Sequence, residues 1–210
     1  MTSMGQKPGS EPSRLAAVAE KIWADLMEGN ERFQEGKQTP RDLVGRRGEL
    51  VGGQQPQVIV LACSDSRVCP SLIFDKNLGE LFVIRTAGNV ADPIALGSIE
   101  YAAEYLDSKL LVIMGHENCG AVAAAASGGK VPSANLESIV ARVRPAIDGV
   151  KGQAEGDAML RLAEQANVQQ SARDLLRNSP LLQQKVADGK LTLIKALYHL
   201  TTGQVARLSQ

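Results

Sequence analysis

Two cysteines, Cys63 and Cys119, and one histidine, His116, are the side chains of this 210-residue sequence best suited by type and spacing to hold a metal. Cys63 lies in Leu61-Ala62-Cys63-Ser64-Asp65-Ser66-Arg67-Val68, which sets a carboxylate and a guanidinium at the alternate positions after the thiol. The other two lie in Gly115-His116-Glu117-Asn118-Cys119-Gly120. Two thiolates and an imidazole suit zinc and leave one tetrahedral position for a catalytic water or another protein group. The thiolates also offset the divalent charge and weaken its Lewis acidity, so a neighbouring group must help. Asp65 is able to accept a hydrogen bond from such a water, and Arg67 to keep that carboxylate ionised and aimed away from the metal. A competing arrangement uses Cys69 as a fourth ligand and closes the site as a structural zinc.

Both motifs close apolar runs. Residues 58–61, 81–84 and 110–114 read as strands buried on both faces. Between the second and third, residues 93–106 repeat their apolar positions at three and four, the pattern of a βαβ crossover helix. The fold class is therefore α/β, a central, mainly parallel β-sheet flanked by helices. Reactive side chains at the ends of parallel strands sit where such folds bind ligands. Further helices are expected over residues 42–51, in an Ala-rich stretch after Cys119 that ends at Gly128-Gly129, and over 136–147 and 158–176. Residues 191–198 alternate as a strand, and Thr202-Gly203 turns the chain so that 205–208 pair back as an antiparallel edge.

One sizeable core fits a chain of this length, so residues 13–210 read as a single domain. Residues 1–12 read as a solvated, disordered tail. From Ser13 a helix carries Leu15, Val18, Ala19, Ile22, Trp23 and Leu26 on one stripe as far as Gly29-Asn30. Residues 13–36 thus form a helical arm that packs either on its own domain or across a partner. Lys plus Arg and Asp plus Glu both total 23, so no net field favours nucleic acid or an anionic membrane. The apolar runs fall short of the roughly 18 residues a membrane span needs. An odd count of three cysteines without a signal-peptide pattern points to a reducing, cytoplasmic compartment.

The pattern Cys63-x-Asp65-x-Arg67 followed by His116-x-x-Cys119 resembles the β-class carbonic anhydrases. The likeness extends over Gly29-Asn30 with Phe33, Gln54-x-Pro56, Ile73-Phe74-Asp75, Gly79 to Asn89, Gly97 to Ala102 and Tyr198 to Val205. It implies one zinc per subunit on Cys63, His116 and Cys119, and reversible hydration of carbon dioxide to bicarbonate by attack of zinc-bound hydroxide. It also implies a homodimer or tetramer with sites at subunit interfaces and the first helix wrapping the partner. Gln54 of one subunit would then donate a hydrogen bond to substrate in the other, while Phe82, Tyr101 and Ala87 wall a small apolar pocket. Some members close the zinc with the residue matching Asp65. Others hold an inhibitory bicarbonate with a tryptophan, where this chain has Val60, together with groups matching Arg85 and Tyr198. Two alternatives stand beside this reading: a hydrolase of carbon disulfide or carbonyl sulfide on the same scaffold, and a non-catalytic zinc-binding assembly protein. Without the resemblance, Gln54 is a polar loop residue, and Phe82 and Tyr101 are ordinary core aromatics. His199 would be an exposed residue near a turn.

Overall fold

Strands β1 (Val58–Cys63), β2 (Leu81–Thr86), β3 (Leu110–His116), β4 (Thr192–Tyr198) and β5 (Val205–Arg207) make one sheet in the order β2-β1-β3-β4-β5. All neighbours run parallel except β4 and β5, which are antiparallel. The computed structural model describes residues 11–209, so the tail expected over residues 1–12 lies largely outside the described residues. Every residue of β1 and β3 is buried, as continuous apolar runs require, whereas the edge strand β2 is only half-buried.

Alternation along the strands divides the core between two faces. Val58, Val60, Val112, Met114, Ile194 and Ala196 pack against Trp23 and Leu26 of α1 (Glu11–Gln34) and Ile73 of α3 (Pro70–Ile73). Ile59, Leu61, Leu111 and Ile113 face α4 (Pro93–Tyr105), α7 (Gly156–Asn178) and α8 (Pro180–Ala187), through Ile99, Val168, Leu175 and Leu182 among others. The remaining helices are α2 (Leu43–Glu49), α5 (Gly120–Ala126) and α6 (Ala134–Val150). Asp92 caps α4 by accepting from the Ala95 N–H, and Pro93 opens it with a φ already suited to a helix.

Only part of the apolar stripe of α1 is buried within this chain: Ala19, Trp23 and Leu26 are inaccessible to solvent or nearly so, whereas Val18 is 41% exposed. That helix is already formed at Glu11, the first described residue and ahead of Ser13, and it runs through Gly29-Asn30 instead of stopping there. Both residues serve tertiary packing. A Cβ on Gly29 would collide with the Phe74 carbonyl oxygen, so only glycine lets the backbones approach. The buried Asn30 amide donates to the carbonyls of Ile73 and Gly203 and accepts from the Val205 N–H, tying α1 to α3 and to the last turn. Two short helices went unread in the sequence. Pro70 opens α3, and Ser179 caps α8, whose first residue is Pro180. The segment expected as a helix over 42–51 is α2 capped by Asp42, followed by a 3-10 turn at Leu50–Gly52. Among the described residues, no helix is long and apolar enough to cross a membrane.

Candidate metal centre

Strand β1 lies between β2 and β3, so the chain crosses to opposite sides of it and the connections leaving the C-terminal ends of β1 and β3 diverge. Cys63 is the last residue of β1, His116 the last of β3, and Cys119 caps α5. Their ligand atoms lie within 4.8 Å of one another, and all three residues are buried. The two sulfurs are 4.0 Å apart, close to the ~3.8 Å edge of a tetrahedral zinc site with bonds of about 2.3 Å. His116 Nδ1 lies 2.7 Å from the Glu117 carbonyl oxygen, which fixes the proton there and leaves Nε2 as a lone pair. That Nε2 is buried with no partner in the protein, as a metal ligand would be. Of the two thiols, Cys63 is pushed down by the hydrogen bond from Cys119, with His116 and the Gly88 N–H also helping, while Cys119 is pushed up. Cys69 stands outside this group of ligand atoms, so the four-ligand structural site does not form.

Local backbone geometry makes the cluster possible. Gly88 adopts φ +68° and donates its N–H to Cys63 Sγ at 3.3 Å; a Cβ there would press on Ala121 and Val143 at 3.1 and 3.3 Å. Asn118, at φ 53°, turns the chain between His116 and Cys119 in the left-handed region that asparagine tolerates better than most residues.

Asp65 and Arg67 stand at the mouth. Arg67 grips the carboxylate with two side-chain bonds, Nε to Oδ1 at 2.9 Å and Nη2 to Oδ2 at 2.7 Å, and its backbone N–H adds a third. The guanidinium holds the Asp65 carboxyl well below the usual carboxylate range. Asp65 Oδ2 is 3.9 Å from His116 Nε2. Arg85, on β2, donates to the carbonyls of Cys63 at 3.0 Å and Asp65 at 2.5 Å, fixing the loop that joins them. Ala87, beside Gly88, belongs to the same neighbourhood, and Val60 is fully buried within β1.

Gln54, Phe82 and Tyr101 are elsewhere. Gln54 precedes β1, so a strand length of about 17 Å separates it from Cys63. Phe82 pairs in register with Ile59 near the same end, and its ring meets that of Tyr101 at a 37° tilt with centroids 6.2 Å apart. Tyr101 in turn meets Tyr105 at 5.5 Å, and Tyr105 lines a cleft of about 530 Å3 with Gln54. These residues make one continuous surface at the opposite end of the strands from the cysteines.

A family model for carbonic anhydrase matches residues 58–205, from the first strand through the last turn. The chain belongs to the β-carbonic anhydrase family. Carbonic anhydrase 2 of Mycobacterium tuberculosis is 39% identical over 186 residues, spanning 87% of this chain and 89% of that protein. Carbonic anhydrase of Mycolicibacterium smegmatis is 39% identical over 187 residues, 87% and 90% of the two chains. The solved structure of the β-carbonic anhydrase CcaA superposes with a TM-score of 0.69 at 26% identity, covering 90% of this chain and 88% of its own. The carbonic anhydrase model takes in the sheet and the metal cluster, and α1 and Gln54 fall before it.

Two groups around the cluster escaped the sequence. His199 is not a free surface residue: its Nδ1 is 2.7 Å from Glu117 Oε1, and this contact is the main cause that lowers the Glu117 pKa. Glu164, on α7, is 2% exposed and accepts the Cys119 N–H at 3.1 Å. Burial pushes its carboxyl up. A lone glutamate in a helix carries no local signature, and nothing in the spacing marks either residue.

Proposed function

We propose that this β-carbonic anhydrase catalyses the reversible hydration of carbon dioxide to bicarbonate and a proton, with one zinc ion held by Cys63, His116 and Cys119. The observation that carries the reading is the convergence of two buried sulfurs and an unpartnered imidazole nitrogen beside the Asp65–Arg67 pair. Zinc supplies Lewis acidity that makes water a nucleophile near neutral pH. Asp65 holds the reacting water by accepting one of its hydrogens, which aims the oxygen lone pair at the substrate carbon. Arg67 keeps that carboxylate ionised and faces it away from the sulfurs, which favours an open fourth position over closure by Asp65. Rigid backbone contacts from Arg85 and Gly88 preserve the spacing.

Carbon dioxide has no charge, so its pocket is best walled by apolar groups with few polar handles. Ala87 is the wall residue near the cluster within the chain. Gln54, Phe82 and Tyr101 reach a cluster only from a second copy, and the surface they form is suited to that role. Tyr101 is 49% exposed, Tyr105 76% and Ile94 80%, next to an edge strand. We therefore read the working unit as a homodimer or a larger assembly of dimers, with Gln54 donating to substrate in the neighbouring site. Three free thiols fit a reducing, cytoplasmic setting.

The test is stopped-flow proton release with purified, zinc-quantified protein. One zinc per chain and a kcat/KM within the enzymatic range of roughly 10^4 to 10^8 M−1 s−1 are expected. Zinc-loaded protein that leaves the uncatalysed rate unchanged would refute the activity, and turnover of carbon disulfide in its place would move the assignment to that substrate.

A further inference from the structure

We propose that Glu164 is the positioning residue for the Cys119 limb of the metal centre. Cys119 is the N-cap of α5, so its N–H has no carbonyl of its own helix to bond, and the Glu164 Oε1 is the acceptor it finds. The three consecutive residues 117, 118 and 119 are each anchored from a different element. The Glu117 N–H donates to the Tyr198 carbonyl of β4 at 3.0 Å, Arg67 donates to the Asn118 carbonyl at 3.3 Å, and Glu164 of α7 takes the Cys119 N–H. Removing the third anchor frees the sulfur to swing while His116 stays fixed in β3.

Glu164 is costly where it stands. It is almost wholly buried, and its Oε2 meets no donor in the protein, although the residue fronts a cavity of about 240 Å3 lined by Glu117, Asn118, Asp157, Arg161 and Thr201. A leucine or methionine would fill the same space without desolvating a carboxyl group. The group is therefore explained by the backbone N–H groups of the Asn118–Cys119 turn, the Cys119 N–H on Oε1 first among them, and not by packing or by an ion pair. The inference rests on the zinc reading above.

Two variants separate acceptor from filler: Glu164→Gln keeps an oxygen for the Cys119 N–H, and Glu164→Met keeps volume alone. Zinc release from the loaded protein to a chromophoric chelator is timed at a temperature equally far below each protein's melting midpoint, and kcat/KM is measured alongside. The methionine variant should release zinc about tenfold faster or more, with a comparable loss in kcat/KM, while the glutamine variant stays within about threefold of the parent. Equal release rates for the parent and the methionine variant overturn the proposal, as does a glutamine variant impaired as severely as the methionine one. A parent protein that holds no zinc overturns the metal reading and this inference with it, whereas the first two outcomes sink this inference alone.

Discussion

Among single residues, the Asp65–Arg67 fork shows how little freedom the site allows. Both guanidinium bonds are charge-assisted and fall at 2.9 and 2.7 Å, a planar match that an ammonium cannot reproduce. Arg67→Lys should therefore keep one zinc per chain yet lower kcat/KM about tenfold or more, because Asp65 loses its fixed aim. Parallel zinc analysis and stopped-flow assays check this, and unchanged kinetics would show that the aim of Asp65 is immaterial. The Cys63–His116–Cys119 cluster was legible from residue type, because soft side chains end two apolar runs that the fold brings side by side. Glu164 was not, since its partner is a backbone N–H 45 positions away. Gln54, Phe82 and Tyr101 were suggested only by family resemblance, and their distance from the cluster could not be read from spacing.

At the level of elements, the N-terminal region is pinned by Asp75. Its buried carboxylate accepts from Arg32 at 2.7 Å, Arg41 at 2.8 Å and the Thr39 hydroxyl at 2.8 Å. Burial alone would raise its pKa, yet hydrogen bonds from Arg32 and Thr39 prevail and bring it down to about 2. A folded pKa below the unfolded value of about 3.9 means stability that is complete above that pH and lost as pH falls toward 2. The linkage amounts to roughly 2 kcal/mol at neutral pH. Asp75→Asn should lower Tm by about 4–8 °C at pH 7. The gap from the parent should narrow as pH drops from about 4 toward 2; thermal scans across that window showing a constant gap would reject the assignment. Such contacts explain what the sequence concealed. Gly29-Asn30 has the composition of a helix stop, but the Phe74 carbonyl and the Asn30 amide contacts override it. Strands β1 and β3 were plain because full burial demands an unbroken apolar run. The helix α8 was missed because its Ser-Pro opening also reads as a loop.

On the scale of the whole molecule, the separation of the two candidate halves makes a direct prediction. Chains carrying Gln54→Ala lack the donor, and chains carrying His116→Ala lack a metal ligand, so each alone should be nearly inactive. Refolded or coexpressed in equal amounts, half of the pairs are mixed, and each mixed pair holds one intact site. Recovery of about a quarter of the parental activity is expected if subunits associate at random as two-fold pairs. No recovery, with mixed pairs verified by mass, would place the substrate pocket within one chain. The parallel sheet was foreseeable from alternating strands and helices, but its strand order and the exposure of Tyr101 and Tyr105 were not, because periodicity shows which residues share a face and not what lies beside or covers it.

The bare margin of β2, with its aromatic neighbours far from the cysteines, also bears on how abundance governs output. A catalyst assembled from two copies, as proposed above, would lose turnover on dilution, so each molecule's worth would depend on how crowded its own kind is. Doubling expression near the association threshold would then more than double the flux of dissolved gas.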